Sequence, residues 1–157
     1  MWNRVAGGLD TTTSLVSGGL TIWVRCRMSG AGFLADQTLV PGAVEEFLRF
    51  YTPSETLTRT APRGCGTGGR RIGARGDVVM ISWVSANHDP EVFQQADEVV
   101  IDRSVNRHLA FGLGGHRCIG AQVARMEAEV MFRDVLNRIP DYVIDEDSFR
   151  PYPGNLL

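Results

Sequence analysis

Cys118 closes a glycine-rich run, "HLAFGLGGHRCIG" (residues 108–120), and an amphipathic helical pattern starts directly after it. Cysteine does chemistry as the thiolate, either as ligand or as nucleophile. The positive end of a helix dipole and unpaired backbone N–H groups lower its pKa. A position at a helix start therefore suits a working sulfur. Gly114, Gly115 and Gly120 let the backbone run close to a large flat object and let N–H groups reach that sulfur. His116 and Arg117, just before the cysteine, are polar or cationic donors.

These features together suit a haem iron held by a thiolate from one side, with the donors meeting the two propionates. Other chemistries fit less well. A dinucleotide loop needs G-x-G-x-x-G, but Gly112 and Gly114 are followed by Arg117. A Walker phosphate loop needs a lysine, and the chain has none. Zinc would have His116 and Cys118 with no second pair nearby. On local chemistry alone, a buried structural cysteine beside a turn also stays open.

The elements that must position this loop are legible from spacing. Leu9, Val16, Leu20, Trp23 and Val24 fall near helical spacing over residues 8–24, interrupted by "DTTTS". "RCRMSGAG" (25–32) carries no period and reads as loop. In "PGAVEEFLRFYTP", Pro41 opens a helix, Val44, Phe47, Leu48 and Tyr51 form its apolar face, and Pro53 closes it. "TLTRTA" alternates like a strand and "DVVMISWVS" is rich in β-branched residues, whereas "PRGCGTGGRRIGARG" between them gives little strand signal. Residues 86–112 read as irregular with a helical turn after Pro90. After Cys118, Ile119, Val123, Met126, Val130 and Leu136 recur at helical spacing as far as Pro140, and "YVID" reads as a short strand.

With 157 residues the chain has the length of one ordinary domain, and 43% hydrophobic with 22% charged residues is a globular composition. A net charge of −2 argues against a nucleic-acid or membrane-surface binder. No apolar run reaches the roughly 18 residues of a spanning helix, and no signal peptide is visible. Cys26, Cys65 and Cys118 are odd in number and widely spaced, which is no disulfide framework and points to a reducing cytoplasm. All 16 basic residues are arginine, which a GC-rich gene explains without functional content.

"FGLGGHRCIG" (111–120) resembles the FGxGxHxCxG signature of the cytochrome P-450 family of haem-thiolate monooxygenases. "GGLDTT" (7–12) is similar to that family's central helix, "EFLR" (46–49) to its ExxR motif, and "SANHDPEVF" with "IDR" to the irregular region before the cysteine loop. The resemblance implies the carboxy-terminal part of that mainly α fold, with a small β region. It also implies one atom of O₂ inserted into a small organic substrate, with NAD(P)H electrons arriving through ferredoxin or a similar donor. Cys118 then resembles the axial ligand of heme b, and Phe111 the aromatic residue beside the sulfur. Gly112, Gly114 and Gly120 fit close-approach positions. Arg59 and His116 resemble propionate partners, with His108 a further candidate. Asp10 and Thr11 match the acid–alcohol pair of the oxygen side, where the family helix is locally opened. Glu46, Arg49 and Arg103 resemble the buried Glu–Arg–Arg network, and Gly7 with Ser54, Glu55, Thr56 and Leu57 resembles substrate-contact positions. Arg117 with Arg107 would offer a basic surface to an acidic ferredoxin.

The chain is less than half the length of a typical member. The expectation is therefore a single partial domain over 1–157, running from the central helix through the cysteine loop and the helix after it. The amino-terminal half and the last strands would be absent, which would expose the apolar faces of the first and last helices. "VRCRMSGAGFLADQ" and "APRGCGTGGRR" depart from the family pattern and look like a GC-rich gene read out of frame.

Overall fold

Among the described side chains of the first helix, Leu15, Ile22 and Trp23 are buried, and their spacing by seven and eight residues keeps them on one face. The computed structural model of the chain describes residues 2–25, 36–67 and 69–150. Helix α1 spans Trp2–Arg25. Its approach to its neighbours depends on two glycines between Leu15 and Ile22. A Cβ on Gly18 would stand 2.6 Å from the Tyr51 ring, and one on Gly19 would stand 2.4 Å from Phe132 and 2.9 Å from Phe47. The predicted opening within "DTTTS" is not seen. The helix runs unbroken, and within it the Thr11 hydroxyl donates to the Gly7 carbonyl (2.7 Å), a bond the helix accommodates. The predicted loop at 25–32 falls, apart from Arg25, outside the described residues.

Helix α2 is Val40–Tyr51, with its proline in the first turn, where the missing N–H costs nothing. It is buried nearly all round, by Val40, Ala43, Val44, Phe47 and Leu48 and by the charged Glu46 and Arg49. Thr52 ends it in the left-handed region (φ 46), its N–H donating to the Leu48 carbonyl at 3.1 Å. Tyr51, expected on the apolar face, is partly exposed and lies against the backbone at Gly18.

Strand β1 (Thr56–Thr60) pairs antiparallel with β4 (Val78–Ser82), Thr56 opposite Ser82 and Thr60 opposite Val78. Between them lies a second hairpin, β2 (Cys65–Thr67) with β3 (Arg70–Gly73), in a stretch with little strand signal. Glycine and arginine hide an alternating pattern, yet Gly66 suits the site: a Cβ there would meet the Arg70 carbonyl at 2.5 Å. The predicted strand "DVVMISWVS" stops at Ser82, whose hydroxyl accepts from the Ser85 N–H (3.2 Å) and caps the short helix α3, Trp83–Asn87. After Pro90 there is a single turn, the Phe93 N–H donating to the Asp89 carbonyl at 2.8 Å.

Helix α4 is Ala121–Arg138. It buries Ala121, Ala128, Phe132 and Leu136 against α1 and α2, with the Phe47 and Phe132 rings 5.3 Å apart. The predicted apolar face is therefore corrected. Leu136 is buried, but Ile119, Val123, Met126 and Val130 are exposed, because two alanines and a phenylalanine make the close contact instead. The predicted strand "YVID" is not formed, since no strand lies beside it among the described residues. Tyr142 holds this segment through its hydroxyl, which donates to the Leu20 carbonyl at 2.8 Å. Burial pushes that phenol up to about 12. The fold is thus mainly helical with a small antiparallel β region, as expected, and among the described residues no helix is long and apolar enough to cross a membrane.

Candidate functional site

Glu46 and Arg49 lie one turn apart on α2 with both side chains fully buried. Arg49 grips the carboxylate with Nε (2.9 Å) and Nη2 (2.8 Å). Its remaining donor capacity goes to the carbonyls of Asn87 and Ala96 (2.8 Å each) and Glu98 (2.7 Å). Arg103 reaches the same carboxylate at 3.1 and 3.3 Å, joined by the Val100 N–H and the Asn106 amide at 2.9 Å each. Burial opposes the charge on Glu46, but hydrogen bonds from Arg49, Arg103 and Val100 prevail and hold the carboxyl below its usual range. Every expected member of this network is assembled. Its effect is to clamp the irregular segment 87–106 onto α2.

Asn87 carries the clamp forward. Buried at the end of α3, it donates to the Thr52 hydroxyl (2.8 Å) and accepts the Leu109 N–H on its carboxamide oxygen (2.7 Å). Leu109 begins the cysteine loop. There the Gly112 N–H donates to the Leu109 carbonyl (2.8 Å), the Arg117 N–H to Gly114 (3.1 Å) and the Cys118 N–H to Phe111 (2.9 Å). Gly112 and Gly114 both have φ +68, a conformation that disfavours any side chain. A Cβ on Gly112 would make ordinary contact with Trp83 and one on Gly114 would meet nothing within 4 Å, so among the described residues φ rather than crowding requires glycine. The turn Gly114–His116 then leads to Cys118, an exposed free thiol three residues before α4.

A second carboxylate braces this loop from outside. Glu45 accepts from Arg125 Nε (2.6 Å) and Nη2 (2.9 Å) and from His108 Nε2 (3.2 Å). Burial would raise the Glu45 carboxyl, but these bonds outweigh it and lower the pKa to about 2. The Ala110 N–H donates to His108 Nδ1 at 3.2 Å, so both ring nitrogens are taken. His108, a further candidate for a propionate, thus has protein partners at both ring nitrogens. Sequence reasoning missed Glu45, Arg125, Asn87 and Thr52. Asn87 stands in a family-like motif, and Glu45 and Thr52 in the helix pattern 41–53, but no local spacing links them to their partners.

Other expected residues are dispersed. Asp10 is exposed on α1, one residue before Thr11. Arg59 is exposed on β1, its guanidinium donating to the Thr58 carbonyl at 2.7 Å. Ser54, Thr56 and Leu57 are half-buried and Glu55 is exposed; the Glu55 carbonyl takes the Trp83 N–H at 2.8 Å. Gly7 and His116 are exposed. The donor set suits a haem. A free sulfur projects from a loop held by backbone bonds, Ile119 beside it is a fully exposed apolar side chain, and Arg59 and His116 offer exposed cationic or polar donors.

Comparison with known proteins agrees over most of the chain. The family model "Cytochrome P450" matches residues 34–146. A steroid C26-monooxygenase of Mycolicibacterium smegmatis is 39% identical over 152 residues, covering 96% of this chain and 38% of that protein. A cytochrome P450 of Bacillus subtilis is 37% identical over 156 residues, covering 98% and 38%. Among solved structures, the bacillaene polyketide synthase cytochrome P450 PksS of Bacillus subtilis superposes with a TM-score of 0.83 at 35% identity, covering 88% of this chain and 36% of that one. P450BioI in complex with a hexadec-9Z-enoic acid-ligated acyl carrier protein gives 0.84 at 32%, covering 92% and 38%. The chain thus spans less than two-fifths of the length of these relatives.

Proposed function

Because this chain belongs to the cytochrome P450 family, we propose that it supplies the thiolate side of a haem monooxygenase, with Cys118 as the residue whose sulfur would hold the iron of heme b. When bound, the haem supplies activation of O₂ for insertion of one oxygen atom into a small organic substrate. The observation that carries the reading is the exposed Cys118 thiol on a loop held between the Phe111 carbonyl and the helix α4.

Each residue then has a task. Gly112 and Gly114 give the loop its left-handed bends, and Gly120, where an added Cβ would stand 3.8 Å from the Cys118 sulfur, leaves room beside it. Phe111 accepts the Cys118 N–H on its carbonyl, while Arg59 and His116 would pair with the propionates. Glu46, Arg49 and Arg103 hold the irregular segment in place and do no chemistry. On the oxygen side, the Thr11 hydroxyl donates to Gly7 and keeps lone pairs free to accept, and the exposed Asp10 carboxylate exchanges protons with solvent. Gly7 and residues 54–57 face the substrate. Electrons come from NAD(P)H through ferredoxin or a similar acidic donor, which docks on the exposed Arg107 and Arg117. We take the cytoplasm as the location, where such a donor and NAD(P)H meet.

A second reading is haem binding without turnover, which needs only the Cys118 thiol and the loop that carries it. One experiment separates the two. The chain is loaded with haem, reduced and exposed to carbon monoxide; a red-shifted thiolate-type Soret band that disappears in Cys118→Ala supports ligation. An unshifted band in the parent chain sinks the proposal. Oxygenated product on adding NADPH with a ferredoxin system then distinguishes a catalyst from a binder.

A further inference from the structure

Two adjacent glutamates on α2 do different work. Glu46 is wholly buried and serves the network beneath the irregular segment. Glu45 points to the other side, with 29% of its side chain exposed, and joins three separate pieces of chain. These are α2 itself, His108 at the entrance of the cysteine loop, and Arg125 in α4.

What Arg125 does next sets the group apart from an ordinary ion pair. Its guanidinium carbon lies 4.7 Å from the centre of the Phe111 ring, and the His108 ring is 5.9 Å from the same ring. A planar guanidinium gripped by both carboxylate oxygens is restricted in orientation, and its carbon over the aromatic ring restrains that ring in turn. Phe111 is also the residue whose carbonyl accepts the Cys118 N–H at 2.9 Å. A continuous path therefore runs from Glu45 through Arg125 to Phe111 and on to the backbone of Cys118. A branch through His108 reaches the Ala110 N–H at 3.2 Å.

We infer that Glu45 and Arg125 are positioning residues for the thiolate loop, setting Phe111 and through it the place of the Cys118 sulfur. The inference rests on the reading of Cys118 as the haem ligand, and it concerns groups outside the Glu46–Arg49–Arg103 network. Lysine at 125 keeps the charge and loses both the fork and the flat face, so Arg125→Lys isolates the geometry. Glu45→Gln removes the anion while keeping the shape.

The test is site-resolved amide hydrogen exchange on the 157-residue chain without haem. In both variants the Cys118 and Ala110 amides exchange faster by about tenfold, the loss of roughly one hydrogen bond's protection. The Val100 amide, bonded to Glu46, keeps its parent rate. A merely structural role would speed all three together, and that result, like unchanged Cys118 exchange in both variants, overturns the inference. In the haem-loaded chain both variants convert part of the thiolate-type carbon monoxide spectrum to the unshifted form. If the parent chain itself gives no thiolate band, the ligand reading has failed, while the exchange measurement still decides the positioning role.

Discussion

The Asn87 carboxamide oxygen accepts the Leu109 N–H at 2.7 Å, joining the end of a five-residue helix to the first residue of the turn that leads into the cysteine loop. Its amide nitrogen donates to the Thr52 hydroxyl, which in turn donates to the Arg49 carbonyl. One wholly buried side chain therefore connects the α2 terminus, 35 residues before it, to the loop, 22 residues after it. Asn87→Ala leaves a buried hydroxyl short of a donor and a backbone N–H short of an acceptor. The expected cost is about 1–3 kcal/mol in urea unfolding. Faster exchange of the Leu109 amide than of amides inside α1 would place the loss at the loop.

Charge pairs in this molecule differ in consequence according to burial. Arg49→Ala leaves the buried Glu46 carboxylate with Arg103 as its remaining arginine and deprives three carbonyls of their donor, at an expected cost of about 3–5 kcal/mol. Arg138 pairs with Asp134 on the outside of α4, with 76% and 54% of their side chains exposed. Arg138→Ala should change stability by no more than about 0.5 kcal/mol. Equal losses in the two variants would show that the buried network is not what holds the segment 87–106.

Acid should weaken the fold through Glu45 and Glu46. Both carboxyls are depressed in the folded chain, Glu45 from its usual 4.5 to about 2. A depressed acid contributes its stability fully above its unfolded pKa and loses it as pH falls through the folded one. The denaturation midpoint should therefore fall as pH is lowered from about 4.5 toward about 2. Glu45→Gln should flatten that slope, and a parent-like slope in the variant would remove Glu45 from the account.

The outward stripe of Val123, Met126 and Val130 on α4 is a contiguous apolar surface next to the fully exposed Ile119. Such surfaces bind apolar dyes. Replacing the three residues with Gln, Lys and Glu should lower the fluorescence of an added apolar dye severalfold, with the urea midpoint within about 0.5 kcal/mol of parent stability. A large loss of stability would mean that the stripe is packed rather than exposed.

What could be read from the residues alone was local. Helix α2 between its prolines, the glycine-rich cysteine loop and the strands around Thr58 and Met80 follow from spacing and backbone preference, which act within one or two turns of chain. The Glu46–Arg49 spacing was legible too, but without the family resemblance it describes a surface pair as well as a buried one. Which face of α4 turns inward could not be read. Val123, Met126 and Val130 make the more apolar stripe, yet Ala128 and Phe132 are the ones that fit against Gly19 and Phe47. Shape decides close contact between helices, and shape is a property of two surfaces together. The same holds for Asn87, Glu45 and Arg125. Their partners lie 22 to 80 residues away, so only the assembled chain brings donor to acceptor and fixes the loop that carries Cys118.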